Sequence, residues 1–410
     1  MTALATTEYN PFDPDFYPSH AFETYRSLRD QTPVWRSPSW GWYALTRYED
    51  VRAAILDADL YRSFEGMDID NTFSAQMASG GSLGNIDNPR HDEIRAIVQP
   101  WFLPRRIGAH EDAVRAVVRA HLAKWRDRGT ADLAQEIAWP TPFDVFFTLM
   151  GIPHDDQAER DQLERWTHQL KGRVPGSPEF SPEAVEADRA IRDYFINLLQ
   201  DRRANPRDDV VSSIVNAEIK GNPFADEHIE PAAEVMGLLM ILYLGGVEST
   251  AGLIGNTFKL LAENPDQRRL LLDDPSLIPG AIEESVRWAT PLQLTARTVM
   301  RDVMLRGVTI PARSRVVLVL GAANRDERQF PDPDRFDVRR GVLRHVGFGE
   351  GVHGCLGAPL ARLEAKVVLQ EALPVLGEFE LDGVPVFYPS SPNMYVWWNL
   401  PVRFRPVGGR

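Results

Sequence analysis

Cys355 is the only cysteine in 410 residues, and it stands in a glycine-rich run, RHVGFGEGVHGCLGAPLARLEAK, at 344–366. A thiol becomes a strong ligand when positive potential or aimed hydrogen-bond donors favour its thiolate. Pro359 and the amphipathic LARLEAKVVLQEAL that follows predict a helix beginning just after Cys355. The sulfur then sits at a helix N-terminus, where unpaired N–H groups and the dipole favour negative charge. On its other side Gly347, Gly349, Gly351 and Gly354 let the backbone approach something flat and bulky. Structural zinc needs further Cys or His at close spacing, and only His345 and His353 are near. A lone cysteine is more often a buried apolar filler than a ligand, but a thiolate that is the fifth ligand of a haem iron needs no second protein ligand.

A second constellation is Gly245-Gly246-Val247-Glu248-Ser249-Thr250, inside the long apolar pattern at 229–264. A carboxylate there is costly unless it has a partner or a task. The flanking hydroxyls and glycines predict a locally opened turn with carbonyls free to bind water. The same residues could instead cap the start of a new helix.

Helices must position both groups. Apolar residues at three-and-four spacing predict helices over 21–31, 48–58, 110–129 and 183–205, and the 229–264 pattern spans about 50 Å at ~1.5 Å per residue. Strand-like runs occur at 33–46, 303–321 and 394–404. The fold class is mainly α with small β-sheets. No repeat or low-complexity linker divides the chain, so 1–410 reads as one domain. The N-terminal stretch carries no basic region followed by an apolar one, so no signal peptide or anchor is expected. The apolar stretch 235–247 falls short of the ~20 residues a membrane span needs and reads as a buried core helix. A lone cysteine suits a reducing cytoplasm. A formal net charge of −13 argues against nucleic acid as a partner. Arg90, Arg95, Arg105 and Arg106, with Arg339, Arg340 and Arg344, are either a local basic face for an acidic protein or scattered solvated side chains.

The stretch from Phe348 to Arg362, FGEGVHGCLGAPLAR, resembles the haem-binding loop of cytochrome P-450 enzymes. The resemblance implies that fold, a triangular helical prism with a long central distal helix, and haem b (Fe protoporphyrin IX) ligated by Cys355. It also implies that His91, Arg95, Arg297 and His353 hold the propionates and that Phe348 and Gly349 belong to the haem loop. Glu284-Ser-Val-Arg287 matches the family's Glu-x-x-Arg pair, and Arg335, in the meander-like GAANRDERQFPDPDRFDVRR, is expected to complete a charged triad with it. Glu186-Ala-Asp-Arg189 fits the same spacing but reads as a solvated helix face. Glu248 matches the family's acid and Ser249 its alcohol, where threonine is usual, with Thr250 as a possible substitute.

The resemblance further implies insertion of one oxygen atom from O2 into a substrate, with electrons from a separate ferredoxin and its NAD(P)H-dependent reductase. By family position the pocket is lined by Phe73, Leu244, Val247, Leu292, Gln293, Leu294, Met394 and Tyr395. Such walls suit a small or medium lipophilic substrate, with hydroxylation or O-dealkylation of an aromatic compound as the expectation; terpenoids and fatty acids stay open. The alternatives are a peroxide-driven peroxygenase, which normally carries an arginine-based anchor where Glu248 and Ser249 stand, and a non-catalytic haem gas-binding protein, which needs no proton relay.

Overall fold

The computed structural model describes residues 9–69, 82–152, 156–170, 172–174, 179–224, 233–341, 344–388 and 393–406. The amphipathic periodicities become helices Ala21–Gln31, Tyr48–Leu56, Glu111–Ala123 and Pro182–Ala204. Ser181 caps the last of these, accepting from the Ala184 N–H at 3.2 Å. Glu111–Ala123 stops short of the expected 129 because the chain turns at Gly129 (φ 79°) into strand Thr130–Asp132.

The 229–264 pattern becomes one unbroken helix, Ala233–Glu263, roughly 46 Å long. Pro265, first residue of the next helix, keeps it from continuing. Its buried side chains recur at helical spacing: Val235, Leu238, Leu239, Leu242, Tyr243, Val247, Ala251, Ile254, Phe258 and Leu261. They pack against helices Pro140–Met150, Ile278–Trp288 and Ala358–Leu376. By length and composition Glu234–Glu263 could cross a membrane, but 78% of its most apolar window is buried inside the molecule, as in a core helix.

A five-stranded sheet lies to one side, ordered Val34–Arg36, Tyr43–Leu45, Arg315–Leu318, Thr295–Val299 and Tyr61–Arg62. Its pairs are antiparallel except Tyr43–Leu45 with Arg315–Leu318. Side chains alternate along Thr295–Val299, so Thr295 and Arg297 share one face, and both line the central cavity. That strand therefore carries a cation into the interior at a fixed height.

Candidate functional site

One cavity of about 320 Å³ lies between the long helix and the Cys355 loop. The loop is shaped by Gly349 (φ 65°) and Gly351 (φ 66°), whose left-handed backbone favours glycine. At Gly347 a Cβ would lie 2.4 Å from Val286 Cγ1, so the loop presses directly on helix Ile278–Trp288. The Cys355 N–H donates to Phe348 O at 2.8 Å, closing the loop on itself. Helix Ala358–Leu376 then starts with Pro359 in its first turn, as the sequence predicts. Cys355 faces the open cavity while enclosed by the body of the protein. Burial pushes its thiol up, against the N–H groups of Gly357 and Ala358 and the charges of Arg362 and Arg95, which pull it down.

Along one rim of the cavity lie four basic side chains. His91 and Arg95, four apart on helix Arg90–Val98, both reach it, as do Arg297 and His353. The His91 and His353 rings meet at 4.6 Å. His91 Nδ1 pairs with Asp92 at 2.9 Å, but the buried Nε2 has no hydrogen-bond partner among the described residues. Arg95 donates to Gly354 O (2.9 Å) and Val352 O (3.3 Å), and Arg297 to Ala296 O (2.8 Å) and Thr295 Oγ1 (3.1 Å). Neither guanidinium forms an ion pair among the described residues. Burial lowers Arg95, and burial with Arg315 nearby lowers Arg297 to about 10. Burial and then the charges of Arg297, His91 and Arg95 lower His353 to about 3, so it is neutral; its Nε2 lies 3.1 Å from Ser63 Oγ. This rim is short of negative charge and suits a ligand with two buried carboxylates.

Beneath the loop, Glu284 and Arg287 pair through two bonds of 2.7 and 2.8 Å, both side chains fully buried. Arg287 also donates to Asn324 O (3.1 Å) and Pro333 O (2.9 Å), and the Asn324 side chain accepts the Val346 N–H at 2.8 Å. The ion pair is thus tied to the cysteine loop through one asparagine. The expectation for Arg335 is corrected. Its side chain is exposed and offers the network only its carbonyl, to Arg287 (3.3 Å) and Arg340 (2.7 Å). The third charge belongs to Arg340, whose Nε reaches both Glu284 oxygens at 3.0 and 3.1 Å. Glu283 ties the loop from its other side, holding Arg362 (2.6 and 2.9 Å) and His345 (3.1 Å). Burial raises the Glu283 carboxyl, but those bonds outweigh it and hold it at about 2. Glu186 and Arg189 are exposed, as expected.

Above the loop, Gly245, Gly246, Glu248, Ser249 and Thr250 all line the cavity. The expected opened turn is absent: the helix runs through these residues, and Ser249 Oγ donates back to Gly245 O at 2.8 Å. A Cβ on Gly246 would lie 2.5 Å from Phe146 Cδ2, so Phe146 is packed against bare backbone.

Of the expected pocket residues, Leu244, Leu292 and Met394 line the cavity. Val247, Leu294, Gln293 and Tyr395 are buried behind the wall. Gln293 is held there by Tyr25 (3.1 Å) and Thr290 (2.6 Å), and Tyr395 sits in an aromatic cluster. Phe73 lies outside the described residues. Met67, Leu83, Phe146, Ile241 and Leu253 complete the apolar wall, with Asp68 and Asn393 bonded to each other at 2.8 Å. Arg173, stacked 4.6 Å from the Phe180 ring, also reaches it, although the sequence marks no arginine as a pocket clamp. Ser63, Glu283, Asn324, Arg340 and Arg362 act through contacts between distant segments, for which no local pattern exists.

A chamber with a thiol below, two unanswered arginines at one rim and apolar walls above fits a planar iron macrocycle with two carboxylate arms; this is the haem-binding class. A family profile described as cytochrome P450 matches residues 272–385. Cytochrome P450 130 of Mycobacterium tuberculosis (strain CDC 1551 / Oshkosh) is 34% identical, over 99% of this chain and 99% of its own length. The 6-deoxyerythronolide B hydroxylase of Saccharopolyspora erythraea is 32% identical over 90% of this chain and 91% of its own. The solved structure of the Bacillus subtilis cytochrome P450 PksS superposes with a TM-score of 0.86 at 27% identity, covering 97% of this chain and 100% of that one. The chain belongs to the cytochrome P450 family. It is a haem-dependent monooxygenase, and its relatives use O2 and redox partners and bind lipophilic substrates.

Proposed function

We propose that Cys355 supplies the axial thiolate to the haem iron, that His91, Arg95, Arg297 and His353 hold the propionates, and that Glu248 and Ser249 hand protons to the distal face. The observation that carries this reading is convergence: groups far apart in sequence line one cavity, with the thiol on one wall and the acid and hydroxyl on the other. The bound haem supplies activation of O2, and the thiolate's electron donation favours O–O cleavage. The protein's residues do the rest. The N–H groups of Gly357 and Ala358 stabilise the sulfur's negative charge. Arg95 and Arg297 neutralise the carboxylate arms and fix the ring's orientation. The Ser249 hydroxyl swings from Gly245 O to donate into the cavity, and Glu248 resupplies the proton.

Glu248→Gln keeps the shape and removes the acid. Turnover is expected to fall roughly 10²-fold, with more of the consumed O2 released as peroxide. The ratio of product to NAD(P)H oxidised checks this; an unchanged ratio excludes the relay.

We assign a small or medium lipophilic substrate, aromatic by preference, for hydroxylation or O-dealkylation in the cytoplasm. The apolar wall formed by Met67, Leu83, Phe146, Ile241, Leu244 and Leu253 supports this. A screen that reads displacement of the iron's sixth ligand in the Soret band tests it, and tight binding confined to charged, non-aromatic compounds would reject it.

Electrons come from a separate ferredoxin with its NAD(P)H-dependent reductase, rather than from peroxide. Arg105, Arg339 and Arg344 are exposed and available to it, whereas Arg106 pairs with Asp208 (3.1 Å) over the Trp101 ring and Arg90 with Glu234 (3.0 Å). Arg105→Glu is expected to slow reduction most at low salt. Stopped-flow reduction at several ionic strengths checks this, and equal rates for variant and wild type would remove Arg105 from the docking face.

A further inference from the structure

Behind the cavity wall begins a train of phenol and indole rings that ends at the surface. Tyr395 follows the cavity-lining Met394, and its N–H donates to the O of Pro291, also in the lining, at 2.7 Å. Its ring stands 6.4 Å from Tyr17. Phe16 bridges Tyr17 (5.1 Å) to Tyr9 (5.4 Å) and Tyr25 (5.9 Å). Tyr9 and Tyr25 meet at 6.0 Å, and Tyr9 reaches Trp42 at 5.6 Å. Trp42 stacks with Trp40 at 6.2 Å and 6°. Every member up to Trp42 is buried, while Trp40 is 43% exposed. A second inlet exists at Tyr25, whose hydroxyl donates to Gln293 Oε1 at 3.1 Å, next to the cavity-lining Leu292.

Such rings are ordinary core material, and packing alone accounts for their burial. Packing does not account for the order: oxidisable rings, with the Phe16 phenyl interposed between Tyr17 and the Tyr9–Tyr25 pair, run from behind the haem chamber to solvent. Phenols and indoles are the most readily oxidised side chains after thiols, and the only thiol is Cys355. Electron tunnelling weakens steeply with distance, so neighbouring rings exchange electrons far faster than a surface group could with a buried haem. From this arrangement we infer that Tyr395, Tyr17, Tyr25, Tyr9, Trp42 and Trp40 form a one-electron path by which an over-oxidised haem is refilled from the protein surface.

The inference rests on haem in the cavity and on nothing in the substrate reading. The oxidant is hydrogen peroxide, reduced at the iron to water when no substrate is bound. One electron then moves inward at each hop, and the donor ring becomes the radical. Tyr25 on losing its electron can share its proton with Gln293 Oε1 and recover it when refilled, whereas Tyr9, whose buried hydroxyl has no acceptor among the described residues, keeps its proton and carries the hole only in passing to Trp42. At the end Trp40 has lost one electron and its indole proton, which goes to water, and the haem has gained one electron. The second electron comes from the Trp40 radical itself, which takes up oxygen from water and releases a second proton, so that one peroxide and one indole become one water and one hydroxyindole and the haem returns to rest.

The test uses the holoprotein with hydrogen peroxide and no substrate, read by freeze-quench electron paramagnetic resonance and by peptide mass spectrometry. An indole radical and oxidised Trp40 are expected. In Trp42→Phe, Trp40 oxidation is expected to fall to the level seen when an azole caps the iron, while a buried phenoxyl signal persists. Trp40→Phe, a surface change that leaves the core intact, is expected to keep an indole line shape and to move the oxidation inward from residue 40 to Trp42, and decides the matter should Trp42→Phe fail to fold. Equal Trp40 oxidation in Trp42→Phe or in the azole-capped protein overturns the path, as does haem bleaching with Trp40 untouched.

Discussion

Cys355→Ala is expected to fold and yet to lose the thiolate spectrum of the reduced carbon-monoxide complex together with all O2-dependent turnover. The loop is held by contacts other than the thiol: the residue-355 N–H to Phe348 O at 2.8 Å, the Arg95 bonds to Val352 and Gly354 carbonyls, and the Glu283–Arg362 pair. The fold therefore survives, and circular dichroism should be unchanged. No other thiol exists to replace it. His353, held by Ser63, and His91, held by Asp92, belong to the rim. Haem that still enters would be bound by the rim and walls alone. Retention of the thiolate band and turnover in this variant would overturn the proposed ligand.

The second large effect is on stability. Glu284→Ala leaves two guanidiniums, of which Arg287 is fully buried, without their shared carboxylate. Breaking a buried pair from one side costs about 3–5 kcal/mol, since the surviving charge stays desolvated. Arg340→Ala, which removes two bonds to Glu284 and three to the Pro331, Asp332 and Arg335 carbonyls at a partly buried site, should cost about 1.5–3 kcal/mol. Arg335→Ala should fall within about 0.5 kcal/mol of wild type, because that guanidinium projects into solvent with Asp337 at 3.7 Å. Urea midpoints of the three holoproteins check the order. A larger loss at 335 than at 340 would restore the sequence-based triad.

That exchange of Arg335 for Arg340 shows where sequence reasoning stops. Glu284 and Arg287 are three apart on one helix, so their pairing follows from helical geometry. The third arginine comes from an irregular segment, where five residues along the chain decide nothing about direction in space. The long helix was legible for the same reason as the pair: its buried residues recur every three or four. Helix Pro140–Met150 was not, because PTPFDVFFTLM is apolar on nearly every side and shows no period. The cavity wall divides similarly. Leu244, Leu292 and Met394 face the chamber, while Gln293 and Tyr395, immediate neighbours of the last two, and Leu294 one position further on are turned away. Within an irregular turn, adjacency in sequence cannot say which side chain points inward. Ser249 adds a local lesson, since its hydroxyl is satisfied by the helix's own carbonyl and so leaves the backbone regular.

Phe146 resting on the bare backbone of Gly246 also constrains how this chamber can be reshaped. The ring already fills the space where a methyl group at 246 would go, so even alanine there must push Phe146 aside or distort the helix beside the acid. Catalytic geometry and chamber volume are coupled through that single contact. Selection for bulkier or slimmer guests is therefore expected to alter the two positions together, a paired change, with lone variants at 246 losing activity before they gain a new preference.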